Sequence, residues 1–139
     1  MMNYLRNVEE RGRDANPFFR LFDIKILNYR EGHSLLSMIV RGDMHNGEGW
    51  LQGGIYTAIA DEAMALAIYP SLDEVEHIAT VSLTTTFIRG VREGTITAEG
   101  RILKRGKRFI FAEADVKTHE REPVLLTRSS AVFSVSKMP

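Results

Sequence analysis

Polar and apolar positions alternate with a period of two in four successive runs of the chain: Ile78 to Arg89, Thr95 to Lys104, Lys107 to Thr118 and Val124 to Val135. Such alternation predicts strands with one covered face. The segments between them, RGVREG, RG and HEREP, have the composition of turns. Two earlier runs read the same way. In PFFRLFDIKILNY, Phe22, Ile24 and Ile26 point one way while Asp23 and Lys25 point the other; His33 to Arg41 follows after the turn Arg30-Glu31-Gly32. These two strands are predicted to form a hairpin. The period changes once. From Gly54 to Tyr69 the residues are mostly Ala, Ile, Met and Leu, with no internal Gly or Pro, and Pro70 closes the segment. This predicts one long helix, apolar nearly all round and therefore buried. Residues 3 to 13 suit a short amphipathic helix with Tyr4, Leu5 and Val8 on one side. Gly42 to Gly53, with four glycines, an Asp and an Asn in twelve residues, is a loop.

The predicted order is a short helix, two strands, a buried helix and four strands. Short turns force the last four strands to be mostly antiparallel, because parallel neighbours need crossovers of about a dozen residues. One sheet wrapped on one helix is thus an α+β layer architecture, and residues 1 to 139 read as a single domain. The outer face of that sheet needs cover. Phe109 and Phe111 lie opposite Ile110, Ala112 and Ala114 on one strand, and a second copy of the chain is the simplest cover.

Composition narrows the function. Eighteen basic and 18 acidic residues give a net charge of zero, which supplies no general attraction to nucleic acid or an anionic membrane. The absence of cysteine removes disulfides and thiolate metal sites. The apolar runs are too short to span a bilayer, and MMNYLRNVEERGRD lacks the apolar core of a secretion signal. A cytoplasmic location is the expectation.

The chemistry concentrates at the helix. Asp61 has Thr57, Ala58, Met64 and Ala65 as its neighbours three and four residues away; Glu62 has Ala58, Ile59, Ala65 and Leu66. No Lys or Arg in the helix pairs with either. A desolvated carboxyl has a raised pKa, which suits a general base; either acid could instead face solvent or pair with an arginine from elsewhere. Gln52-Gly53-Gly54 lies at the helix start, where amides lack intrahelical partners and the dipole favours a developing oxyanion. The same glycines would also suit a tight loop-to-helix turn. By helix rise, this start lies about 10 to 12 Å from Asp61. One carbonyl can be served by both only if two helices meet across a two-fold axis.

Asn46, Gln52-Gly53-Gly54, Asp61 and the strand beginning Thr80-Val81-Ser82-Leu83 together resemble the PaaI-like branch of the hotdog-fold acyl-CoA thioesterases, as do FIRGVREG and LKRGKR. The resemblance spans about residue 20 to about 135. It implies a hotdog fold, a long helix wrapped by a six-stranded antiparallel sheet, in a dimer or tetramer with composite sites at the dimer interface. It implies Asp61 as base or nucleophile, Gly54 beside Gly53 as the amide donor, Asn46 as a polar helper and Thr80 as a hydroxyl supplied with Asp61 by the other subunit. The substrate would be an acyl-CoA; coenzyme A is part of that substrate, and no cofactor, metal, nucleic acid or membrane is called for. Gln52 stands where many relatives carry histidine, and Gly90 where proline is common. Gln bonds but does not titrate, so a non-catalytic acyl-CoA-binding or sensing module on the same fold is the alternative reading.

CoA brings phosphates, for which Arg89/Arg92 and Lys104/Arg105/Lys107/Arg108 are candidate partners; charged turns are also commonly just solvated. Thr80, Ser82, Thr84 and Thr86 share one face of a regular strand. Trp50 either packs on the core or walls an acyl pocket. The histidines at 33, 45, 77 and 119 lack metal-ligand spacing, no G-x-S-x-G elbow occurs, and the glycines at 47 to 54 fail the dinucleotide pattern at Gln52.

Overall fold

The structure is a computed structural model that describes residues 3–137. Along the chain run α1 (Tyr4–Arg11), α2 (Pro17–Phe22), β1 (Lys25–Arg30), β2 (His33–Ile39), α3 (Gly53–Ile68), β3 (Glu76–Phe87), β4 (Thr95–Arg105), β5 (Phe109–Thr118) and β6 (Leu125–Lys137). The strands form one antiparallel sheet in the order β1-β2-β4-β5-β6-β3. It wraps α3, and this is the expected hotdog fold. On β5, Ile110, Ala112, Ala114 and Val116 are buried towards α3, whereas Phe109 and Phe111 are exposed on the outer face.

Small residues let the helix sit close to the sheet. A Cβ added to Gly100 on β4 would fall far inside van der Waals contact distance of Ala63 O and 2.8 Å from Met64 N. Ser34 of β2, fully buried, donates its hydroxyl to the same Ala63 carbonyl at 2.5 Å. Burying that hydroxyl without a partner would be costly; here it fastens helix to sheet. Leu36, Met38, Ile59, Met64, Ile110 and Phe133 fill the space around this contact.

Two expectations need correction. Phe22 does not begin a strand: Pro17–Phe22 is helical, and β1 starts at Lys25. Asn16 is its N-cap, accepting from Phe18 N at 3.0 Å, Pro17 sits in the first turn, and Asp23 closes it at φ 52°. The apparent alternation at 22 to 24 is two chain ends meeting at a left-handed residue. The second correction concerns Thr80, Ser82, Thr84 and Thr86. The β3–β6 register shifts between Thr80 and Ser82. Thr80 pairs with the buried Phe133 and turns towards α3; Ser82, Thr84 and Thr86 pair with Val132, Ser130 and Arg128 on the other face. The extra residue is Val81, a bulge that re-aims its neighbour.

The two borders of the sheet differ. β1 is six residues long and carries Lys25 and Arg30. β3 is 12 residues long and has no charged residue from His77 to Phe87. The outer face also carries a charge ladder. Arg128 donates to both oxygens of Asp115 at 2.8 and 3.1 Å, and Arg101 reaches Asp115 at 3.4 Å and also pairs with Glu113. The Arg128 and Arg101 guanidiniums hold the buried Asp115 carboxyl below its usual range.

Candidate active site

Asp61 is at the middle of α3 and half-buried. Thr80, turned inward by the bulge, donates its hydroxyl to Asp61 Oδ1 at 2.8 Å. Burial raises the Asp61 pKa above the ordinary aspartate value; the Thr80 bond opposes that rise. Glu62, the next residue, is also raised, chiefly by burial and further by the Asp61 charge, while a hydrogen bond from Asn16 lowers it. Asn16 Nδ2 lies 3.0 Å from Glu62 Oε2 and 2.9 Å from the Tyr4 hydroxyl. Burial pushes the Tyr4 phenol up to about 12.

These groups surround one cavity of about 320 Å³, lined on the helix side by Asp61, Glu62 and Ala65 and on the sheet side by Ile78, Thr80 and Phe133. Tyr69, Tyr4, Asn16 and Pro17 close its far wall. The sequence reading named both acids and missed this wall. Asn16-Pro17 looked only like a chain break, and a contact between residues 46 positions apart leaves no local pattern.

The helix start lies elsewhere on the same chain. Gly53 and Gly54 are the first residues of α3 after Gln52, and among the described residues their amides have no hydrogen-bond partner. A cleft at Gly53 is lined by Asn46, Leu51, Tyr56, Phe87 and Arg89, among others, and none of these borders the acid cavity. Asn46 is exposed and shapes the loop: its Oδ1 accepts from Glu48 N at 2.9 Å and Trp50 N at 3.1 Å. Gln52 is exposed, and its side-chain oxygen lies 2.8 Å from where a Gly54 Cβ would be. Trp50 is neither core nor acid-pocket wall. It is 38% exposed and lies under the Arg92 guanidinium, 4.0 Å from the ring centre.

The basic candidates divide between the two ends of α3. Arg89 borders the helix-start cleft. Arg105 and Lys107 lie in the β4–β5 turn beside Ser71 and Glu76, near the helix C-terminus. Arg105 is engaged by Glu76 at 3.4 Å and by the Gly106 carbonyl. Lys107 and Arg108 have no side-chain ion pair among the described residues. The histidines bond separately: His33 to Glu99, His45 to the Arg92 carbonyl and His77 to Ser136.

A partly buried acid thus stands on the helix of a hotdog sheet, beside a cavity open to solvent. A family model described as Thioesterase superfamily matches residues 48–125, and the chain belongs to that family. Among curated relatives, a protein of Saccharolobus solfataricus provisionally named an esterase is 26% identical over 117 residues, 84% of this chain and 83% of that one. Among solved structures, a thioesterase from Haemophilus influenzae superposes with TM-score 0.80 at 24% identity, covering 88% of this chain and 85% of the other. A phenylacetic acid degradation-related protein from Ralstonia eutropha gives TM-score 0.85 at 17% identity, covering 95% and 99%. These likenesses support the fold. No helix among the described residues is long and apolar enough to cross a membrane.

Proposed function

We propose that the chain hydrolyses an acyl-CoA thioester at a site shared by two copies, in the manner of the PaaI-like enzymes it resembles. The observation that carries this reading is Asp61, held by Thr80 on the wall of a solvent-open cavity with its carboxyl raised by partial burial. In the water-activated route, Asp61 takes a proton as water adds to the thioester carbonyl. The resulting oxyanion is met by the Gly54 amide of the second copy, beside Gly53, since a helix-start amide is a preorganised donor. The carbon–sulfur bond then breaks and the CoA thiolate leaves, taking up the proton. In the covalent route Asp61 itself attacks and water releases the acyl-enzyme. Asn46 and Gln52 take the roles of polar helpers at that end of the site. Lys107 and Arg108, with Arg105 once freed from Glu76, and Arg89 from the other end, are the candidate CoA-phosphate contacts. Coenzyme A enters as part of the substrate, and the reaction needs no cofactor.

The second copy is supplied by β3. Its long, uncharged free edge is suited to pairing with another strand, and an antiparallel pair of β3 edges would set one copy's helix start beside its neighbour's acid. A cytoplasmic homodimer, alone or doubled, is the assembly this reading requires. The test is thiol release from short, long and aromatic acyl-CoAs. Wild type should turn over at least one, and Asp61→Ala should lose about a thousandfold in kcat with its melting curve intact. Equal rates in the two proteins remove Asp61 from the mechanism.

The alternative, a non-catalytic acyl-CoA-binding module, draws on Gln52, whose amide crowds the helix start and cannot titrate. Tight binding by calorimetry without thiol release in wild type would select it.

A further inference from the structure

The acid cavity has a polar end that hydrolysis does not use. Glu62 contributes two oxygens there. Oε2 accepts from Asn16 Nδ2, and Oε1 has no hydrogen-bond partner among the described residues. The arrangement is fixed from several sides. Asn16 is buried and fully employed, capping α2 with its Oδ1 while its amide spans Glu62 and Tyr4. Tyr4 packs edge-on against Tyr69, ring centres 4.8 Å apart, and both rings line the cavity. Apart from Asp61 and Thr80 at the reactive end, the rest of the lining is apolar: Ala15, Pro17, Ala65, Ile78 and Phe133.

A wholly apolar acyl group would leave that carboxyl oxygen facing hydrocarbon, which is unfavourable for a polar group. An acyl group with a hydrogen-bond donor at that point would satisfy it. Asp61 and Glu62 have adjacent Cα atoms about 3.8 Å apart, and their side chains diverge by about 100° around the helix. The point served by Glu62 therefore lies only a few bonds beyond a thioester carbonyl held at Asp61.

We propose that Glu62, oriented by Asn16 and Tyr4, is a specificity-determining residue that selects short acyl groups bearing a hydroxyl near their far end over equally long apolar ones. This rests on the thioesterase reading of the same cavity. Glu62 takes no proton from the reacting water and touches neither carbonyl nor sulfur; it binds the acyl tip. Tyr4 is the second group within reach, because its phenol keeps its proton and can donate as well as accept.

The experiment compares kcat/KM for matched acyl-CoA pairs, propanoyl to hexanoyl, in which the terminal methyl is replaced by hydroxyl. Wild type should favour the hydroxylated member of at least one pair by about tenfold or more, since a site built to bond a hydroxyl discriminates against its absence. Glu62→Gln keeps an oxygen for Asn16 and turns the free position into an amide donor. In this variant the hydroxyl loses its charged acceptor and can only accept from the amide, so the preference should fall several-fold from that of wild type. Tyr4→Phe should reduce the preference by a smaller factor. Wild-type hydrolysis with no preference for any hydroxylated member overturns the proposal and leaves the thioesterase reading standing. A preference undiminished by Glu62→Gln in a folded protein assigns it to another group and also overturns it. Absence of thiol release from every pair and from the broad panel removes both readings together.

Discussion

At the residue scale, the environment of Asp61 combines two opposed influences. Burial disfavours its charge and the Thr80 hydroxyl favours it. The first prevails, so the folded protein binds this proton more tightly than the unfolded chain does. The same holds for Glu62. Both acids therefore weaken folding as pH rises from their ordinary range through their raised folded values. Stability given up at a reactive position is a common feature of catalytic sites. The pair also sets a pH test. If Asp61 must be ionised to act, kcat/KM rises with pH through its folded pKa. Thr80→Val removes the one bond that lowers that pKa, so the acid limb of the profile should move to higher pH. An unmoved limb with a uniformly lower plateau would mean that Thr80 serves water or substrate instead. Asp61 was legible in the sequence because an acid without helical partners stands out among Ala, Ile and Met. The partner of Glu62 was not legible, because Asn16 reaches it only after the chain has folded back across 46 positions.

At the element scale, packing of α3 on β4 sets where the acids stand. The approach at Gly100 leaves no room for a methyl group, and the obstructing atoms are backbone rather than a mobile side chain. Gly100→Ala should destabilise the fold by about 1–3 kcal/mol, as overpacking does, measured by denaturant unfolding; a loss under a few tenths would mean that α3 slides freely. The strands and this helix could be read in advance, because alternation and an apolar Ala-rich run survive as local patterns. Two local features could not. The helix at Pro17–Phe22 is six residues long, too short for a period to register, and its signals were Asn16 as cap and Pro17 at the first position. The bulge at Val81 has no compositional mark, since a Thr-rich strand reads the same with or without one extra residue. It decides whether Thr80 meets Asp61 or lies with Ser82 on the outer face.

At the scale of the whole molecule, the acid and the helix-start amides open on separate cavities of one chain. A composite site makes a quantitative prediction. Asp61→Ala and Gly54→Pro each disable one half. Proline lacks the amide hydrogen yet is tolerated in a first helical turn, and the nearest obstacle to its Cβ is the end of the Gln52 side chain. Each variant alone should be inactive. Unfolded together and refolded, half of the dimers are mixed, and each mixed dimer holds one intact site out of two. Activity should return to about a quarter of wild type. No recovery, with mixed dimers verified by mass, places both groups in one subunit. The contrast between the two sheet borders then limits growth. If two copies pair through β3 as proposed, what remains at either rim is a short β1 bearing Lys25 and Arg30. Two such rims would repel rather than zip, so the ribbon would terminate after one addition instead of lengthening into a filament.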